Sequence, residues 1–190
     1  MNKATLGYAM TGSFCTFEKS LAQLQNLLDV GYAALPILSF HAAQTDTRFG
    51  KAKDFISRLE DMTGHAVLRS LTAVEPIGPK KMCDLLIVLP CTGNTLGKLA
   101  AGIYDTPVTL AVKSQLRAGR PVLLGVSTND ALEGSGKSIG ALLARKNVFF
   151  VPMAQDAPQN KPRSVVCDFS KAPAAAEAAL RGEQLQPMIF

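Results

Sequence analysis

Several protein classes are excluded by what this sequence lacks. Its four cysteines, Cys15, Cys83, Cys91 and Cys167, form no C-x-x-C pair, and the two histidines, His41 and His65, are not paired at zinc-ligand spacing. That pattern predicts no metal site and reads as reduced thiols. The longest clean apolar run, Leu85 to Leu89, is far below the roughly 20 residues a membrane-spanning helix needs. Met1-Asn2-Lys3-Ala4 runs straight into a strand-like segment without an apolar leader, so the expectation is a cytoplasmic chain with no membrane partner. Lys and Arg (20) exceed Asp and Glu (15), but they are scattered in pairs such as Lys80-Lys81 and Arg145-Lys146. A basic stripe interleaved with aromatics is missing, which argues against nucleic acid and for small anionic ligands. There is no repeat, low-complexity tail or linker, and 47% hydrophobic content over 190 residues supplies one core. A single domain spanning 1–190 is expected.

What is present is an alternation of apolar strands and amphipathic helices. Ala4 to Met10 reads as a strand ending at Thr11-Gly12, and Phe14 to Val30 as a helix with Leu21, Leu24, Leu27 and Leu28 at helical spacing. Gly31 stops it, and Tyr32 to Ser39 is the second strand. Gly50 to Thr63 is an amphipathic helix ended by Gly64. Asp84 to Leu89 reads as a buried strand closed by Pro90, followed by a helix over Asn94 to Ile103 and a helix start at Thr106-Pro107. Pro121 to Val126 and Val148 to Val151 are strands; Ile139 to Arg145 and Lys171 to Arg181 are helices. Pro152 to Ser164, with Pro158 and Pro162, reads as a long irregular excursion of the kind that often carries function. Wholly apolar strands alternating with helices predict an α/β three-layer sandwich with a doubly wound parallel sheet, Rossmann or flavodoxin-like. Right-handed crossovers then put ligands at the carboxyl ends of the strands.

Four loops fall at that edge. Thr11-Gly12-Ser13-Phe14 presents free helix N-terminal N–H groups to an anion, although the full G-x-G-x-x-G fingerprint is missing and an ordinary capped turn explains it equally well. Ser39-Phe40-His41 adds a hydroxyl and an imidazole, with a surface histidine as the plainer reading of His41. Arg48, in the loop before the second helix, offers a bidentate carboxylate clamp or is a solvated loop arginine. Pro90-Cys91-Thr92-Gly93-Asn94-Thr95, with Lys98 one turn on, packs hydroxyls and an amide into one strand-to-helix junction. Helix capping accounts for only one of those side chains. Glu133 to Ser138 is not a nucleotide P-loop, because the required first glycine falls on Ala131.

The segment from Pro90 to Asp105 resembles the signature region of the flavoprotein superfamily, which includes phosphopantothenoylcysteine decarboxylases, lantibiotic cysteine decarboxylases and flavin prenyltransferases. The resemblance implies FMN bound by Gly12, Ser13 and Phe14, by Ser39 beside the phosphate, and by Thr92, Gly93 and Thr95 near the ribityl chain and ring. Asn94 matches the family asparagine that contacts a substrate carboxylate. Two departures argue against cysteine decarboxylation: Val74 to Cys83 contains no histidine, and Gly125 to Leu132 stands where the family has its P-x-M-N-x-x-M segment. Thr45 to Gly50, Leu59 to Gly64, Gly125 to Leu132, Lys146 to Phe150, Gln155-Asp156 and Gln184 to Pro187 resemble the B-subunit family of dipicolinate synthases of spore-forming bacteria.

That second resemblance implies an oxidoreductase subunit that forms pyridine-2,6-dicarboxylate during sporulation from dihydrodipicolinate or 4-hydroxytetrahydrodipicolinate. It also implies a nicotinamide-dependent A subunit as partner, bringing NADP, and a homo-oligomer. Asn94 and Arg48 are the candidate catalytic residues; Lys98, Lys113 and Arg163 are further candidates for holding the dicarboxylate, with Ser13 as a polar positioner. Two alternatives stand beside it: an FMN-binding flavoprotein with another substrate, and a non-catalytic scaffold for the dehydrogenase subunit.

Overall fold

In the computed structural model, residues 3–190 are described; Met1 and Asn2, part of the N-terminal reading above, lie outside them. The apolar strands form the centre of one sheet because both of their faces are covered. β1 (Thr5–Met10), β2 (Ala33–Leu38) and β3 (Leu85–Cys91) run parallel, with β1 between the other two. All seven residues of β3 are buried, which is why its sequence shows no polar alternation. β4 (Val122–Thr128) lies parallel on the far side of β3.

Between these strands run the helices that cover the sheet. A 3-10 turn, Phe14–Thr16, leads into α1 (Phe17–Asp29). After β2 come a short α2 (Phe40–Gln44), then α3 (Ala52–Thr63) and α4 (Leu71–Val74). α5 (Gly93–Ala100) and α6 (Pro107–Arg117) link β3 to β4. α7 (Gly136–Leu143), then β5 (Val148–Phe150), β6 (Met153–Ala154), β7 (Val165–Cys167) and α8 (Ala172–Leu180) complete the order. Gly31 and Gly64 end α1 and α3 with φ of 95° and 69°, a conformation that costs a side-chain-bearing residue about 1 kcal/mol or more. Thr106 caps α6 through the Thr109 N–H while Thr109 Oγ1 accepts the Thr106 N–H, a reciprocal box with Pro107 at the first helical position.

The three-layer α/β sandwich is thus present, with three differences of detail. First, the sheet is mixed: β5 continues the parallel set along β4, but β7 pairs antiparallel with Ser127 and Thr128, and β6 antiparallel with β7. These strands lie in or beside the stretch Pro152 to Ser164 that reads as irregular, and at two or three residues they are too short to show a period. Second, β3 passes through Pro90 to Cys91. The ladder to β4 shifts register between Val88 and Cys91, and at such an irregularity a proline costs no paired N–H. Third, Ser39-Phe40-His41 is not open loop: Ser39 caps the short α2 by accepting the Ala42 N–H at 3.3 Å.

Candidate functional site

The carboxyl ends of β1, β2, β3 and β4 open into a cleft with two lobes, each within the range of roughly 300–1,000 Å³ typical of ligand sites. The first, about 450 Å³, is lined among others by Ser39, His41, Asn94, Thr95 and Lys98. The second, about 470 Å³, is lined among others by Ser13, Lys19, Ser127, Asn129 and Lys161. Gly12, Phe14 and Thr92 face both lobes, so the first turn and the head of α5 stand at the junction.

Thr11, which opens the first turn and has no role assigned from sequence, ties that junction together. Its buried hydroxyl donates to the Pro90 carbonyl at 2.9 Å and accepts the Thr92 N–H at 3.0 Å, while its own N–H donates to Pro90 O at 3.2 Å. A polar residue ending an apolar strand was the available signal. Thr11→Val keeps the shape but strands the Thr92 N–H; the expected loss is about 1–3 kcal/mol, read from urea unfolding.

Ser13 is held from three sides. Its N–H donates to Thr11 O at 2.7 Å, its carbonyl accepts the Thr16 hydroxyl at 2.8 Å, and its hydroxyl lies 2.8 Å from that of Ser127 at the end of β4. The N–H groups of Phe14 and Cys15 have no acceptor among the described residues and are the donors left at this helix start. Thr92 caps α5 by accepting the Thr95 N–H at 3.4 Å, and the two hydroxyls sit 3.1 Å apart. Asn94 is exposed at the rim of the first lobe.

Gly12 and Gly93 differ in what their missing side chains leave room for. A Cβ on Gly12 would make only ordinary contacts, 3.6 Å to the Phe14 ring and 3.9 Å to His41 Cβ, so local packing does not require glycine at this position, which lines both lobes. A Cβ on Gly93 would stand 2.6 Å from Ser135 Oγ, 2.7 Å from Thr128 Oγ1 and 2.9 Å from Asp130 Oδ1. Gly93 therefore faces the loop after β4, not the first lobe. In that loop Asp130 Oδ1 accepts the Thr128 hydroxyl at 2.6 Å and the Ser135 hydroxyl at 2.8 Å, and these two bonds hold its carboxyl below the usual carboxylate range.

The candidate cations scatter. Lys98 lines the first lobe but is engaged by Asp105 at 2.7 and 2.8 Å, a contact that pulls the Asp105 carboxyl below its ordinary range. Arg48 is exposed and stacks 4.9 Å over the Phe49 ring; Phe49, not Arg48, lines the second lobe. Arg163 is exposed and donates to Leu132 O at 3.4 Å, outside both lobes. Lys113 lies 5.2 Å over the Tyr104 ring and lines a separate cleft with Glu75 and Lys81. His65 is an exposed residue just past the end of α3. No cluster of metal-ligating side chains occurs among the described residues.

The cysteines divide by environment. Burial pushes the thiols of Cys83 and Cys167 up to about 11 and about 12, and that of Cys91 higher still, whereas Cys15 is exposed at the mouth of the second lobe. Iodoacetamide at pH 8 is expected to label Cys15 alone in the folded protein and all four cysteines after unfolding, as intact mass would report. Rapid labelling of a second site in the native state would contradict the burial.

The model of the flavoprotein family matches residues 1–172. The dipicolinate synthase B subunit of Bacillus subtilis (strain 168) is 40% identical over 184 residues, which is 97% of this chain and 92% of that protein. The chain belongs to the flavoprotein family, among the dipicolinate synthase B subunits. A crystal structure of the dipicolinate synthase B subunit from Bacillus halodurans C aligns with a TM-score of 0.91 at 39% identity, covering 100% of this chain and 98% of that one. A dodecameric FMN-dependent Ubix-like decarboxylase from Escherichia coli O157:H7 aligns with a TM-score of 0.63 at 25% identity, covering 78% of this chain and 79% of that one. As in the family reading, the cleft lies at the carboxyl edge of the sheet, and no helix of the described chain is long and apolar enough to cross a membrane.

The side chains present suit a flavin mononucleotide. Gly12 stands at the junction of the lobes, and the Ser39 hydroxyl, one of the mutually bonded Thr92 and Thr95 hydroxyls and two free backbone N–H groups offer donors.

Proposed function

We propose that this chain is the B subunit of a dipicolinate synthase, a single flavoprotein-like domain over residues 1–190. It takes part in forming pyridine-2,6-dicarboxylate from dihydrodipicolinate or 4-hydroxytetrahydrodipicolinate in the cytoplasm during sporulation. The observation that carries this reading is the 40% identity over nearly the whole length to a dipicolinate synthase B subunit. Aromatising the dihydro ring removes one hydride and one proton; the hydroxytetrahydro form must also lose water. The FMN-dependent relative supports FMN in the cleft, where it would pass the hydride equivalent on to the NADP of the A subunit, and its dodecameric state supports a homo-oligomer. NADP enters through the A subunit.

In this reading Gly12, Ser13, Phe14, Ser39, Thr92 and Thr95 hold FMN, Gly93 shapes the loop behind it, and Asn94 positions a substrate carboxylate from the rim. Arg48 reaches a carboxylate only by leaving the Phe49 ring.

The test is reconstitution. The purified A subunit is assayed for pyridine-2,6-dicarboxylate, with its ultraviolet absorbance as readout, by itself and with this chain. Product only when both are present is expected, with a fall in turnover on Asn94→Ala. Full activity of the A subunit without this chain would overturn the reading, and full activity with the Asn94 and Arg48 variants together would remove those two from the site.

A further inference from the structure

The second lobe holds a cation that the sequence reading does not single out. Lys19, on the first turns of α1, lines that lobe together with Ser13, Thr128 and Asn129. The other cation there, Lys161, is paired with Asp156 at 3.4 Å. Lys19 enters no ion pair among the described residues. Of the carboxylates around Lys19, Asp156 in the lobe is paired with Lys161, and Asp168, which does not line the lobe, accepts the Ser170 N–H at 3.0 Å and hydroxyl at 2.6 Å. The lobe therefore has two cations for one carboxylate, and the surplus charge is Lys19.

One further donor shares the space. Asn129 uses its Oδ1 to accept the Ser164 hydroxyl at 3.4 Å, which leaves its amide N–H available. An anion with two acceptor groups on one rigid frame suits a lobe that offers both a cation and a neutral donor.

We propose that Lys19 pairs with one carboxylate of the ring dicarboxylate in the second lobe. This rests on reading the cleft as the dicarboxylate site. The first lobe, where Lys98 is held by Asp105, takes the flavin phosphate end, and Asn94 at its rim is left for the other carboxylate.

The test uses the full chain titrated with pyridine-2,6-dicarboxylate, with pyridine-2-carboxylate as the single-carboxylate control, and separately with FMN. Lys19→Met is expected to weaken dicarboxylate binding about tenfold, to leave the FMN affinity as it was, and to narrow the difference between the two pyridine acids. Lys19→Arg is expected to restore most of the loss, and Lys113→Met, in the separate cleft, to change nothing. Unaltered dicarboxylate affinity in Lys19→Met overturns the assignment, and so does a parallel loss of FMN, which would make the residue structural. If the unaltered chain binds FMN but neither pyridine acid, the reading of the cleft itself fails, whatever the variant does.

Discussion

Gly12→Val is expected to abolish FMN binding while leaving the fold in place. The backbone at this position lies outside the left-handed region, so a side chain causes no conformational strain. A Cβ meets only the Phe14 ring and His41 Cβ, at 3.6 and 3.9 Å, and the position lines both lobes, so a branched side chain is expected to take up space at their junction. Filling that junction competes directly with the ligand. An affinity loss of about 100-fold or more is expected from fluorescence quenching of added FMN, equivalent to about 2.7 kcal/mol. Thermal midpoint is expected to move little, and Gly12→Ala to fall between the two. If Gly12→Val binds FMN as the unaltered chain does, the flavin lies elsewhere.

Gly93→Ala is expected to do the opposite and act on stability first. The added methyl would overlap Ser135 Oγ, Thr128 Oγ1 and Asp130 Oδ1, all within 2.9 Å, and those three atoms form one hydrogen-bonded cluster. Displacing any of them leaves the Asp130 carboxylate short of a donor. Overpacking of this kind costs about 1–3 kcal/mol, which for a chain of this size lowers the thermal midpoint by about 2–4 °C per kcal/mol. Because Thr128 and Ser127 end the strand that bonds to Ser13, ligand affinity is expected to fall as a secondary effect. Asp130→Ala in the Gly93→Ala background is expected to recover part of the loss, since the two changes share a contact and do not add.

The same cluster predicts a pH dependence. The Asp130 carboxyl is held below its ordinary range in the folded state, so its contribution is present above the unfolded value near 4 and is lost as pH falls through the lower folded value. Asp130→Asn is expected to flatten the acid limb of a stability profile below about pH 4 relative to the unaltered chain. An identical acid limb in both proteins would show that the hydroxyl bonds do not distinguish the charged from the neutral acid.

The legibility of the site differed from residue to residue for a physical reason. Gly12, Ser39 and Thr92 could be placed beside the cleft because each follows the end of an apolar strand, and strand ends at one edge of a parallel sheet converge whatever lies between them. Arg48, Lys113 and Arg163 were nominated for charge and loop placement, and the fold directs them to the Phe49 ring, the Tyr104 ring and the Leu132 carbonyl. Lys19 was invisible because a lysine on the solvent side of an amphipathic helix looks the same whether or not a second lobe opens beside it. Thr11 and Asp130 act through partners 79 and 81 residues away in the first case and through a loop in the second, and local pattern records neither.

The sequence by itself determined the alternation of buried strands and helices, the caps at Thr106, Gly31 and Gly64, and the edge at which a ligand cleft opens, because hydrophobic period and backbone conformation are local properties. Only the tertiary structure decided that β7 and β6 close the sheet antiparallel, that Lys98 is engaged by Asp105, and that Gly93 serves the Asp130 cluster. Those outcomes depend on distances between segments far apart in the chain, and so does the division of the cleft into two lobes, one of them with an unpaired cation.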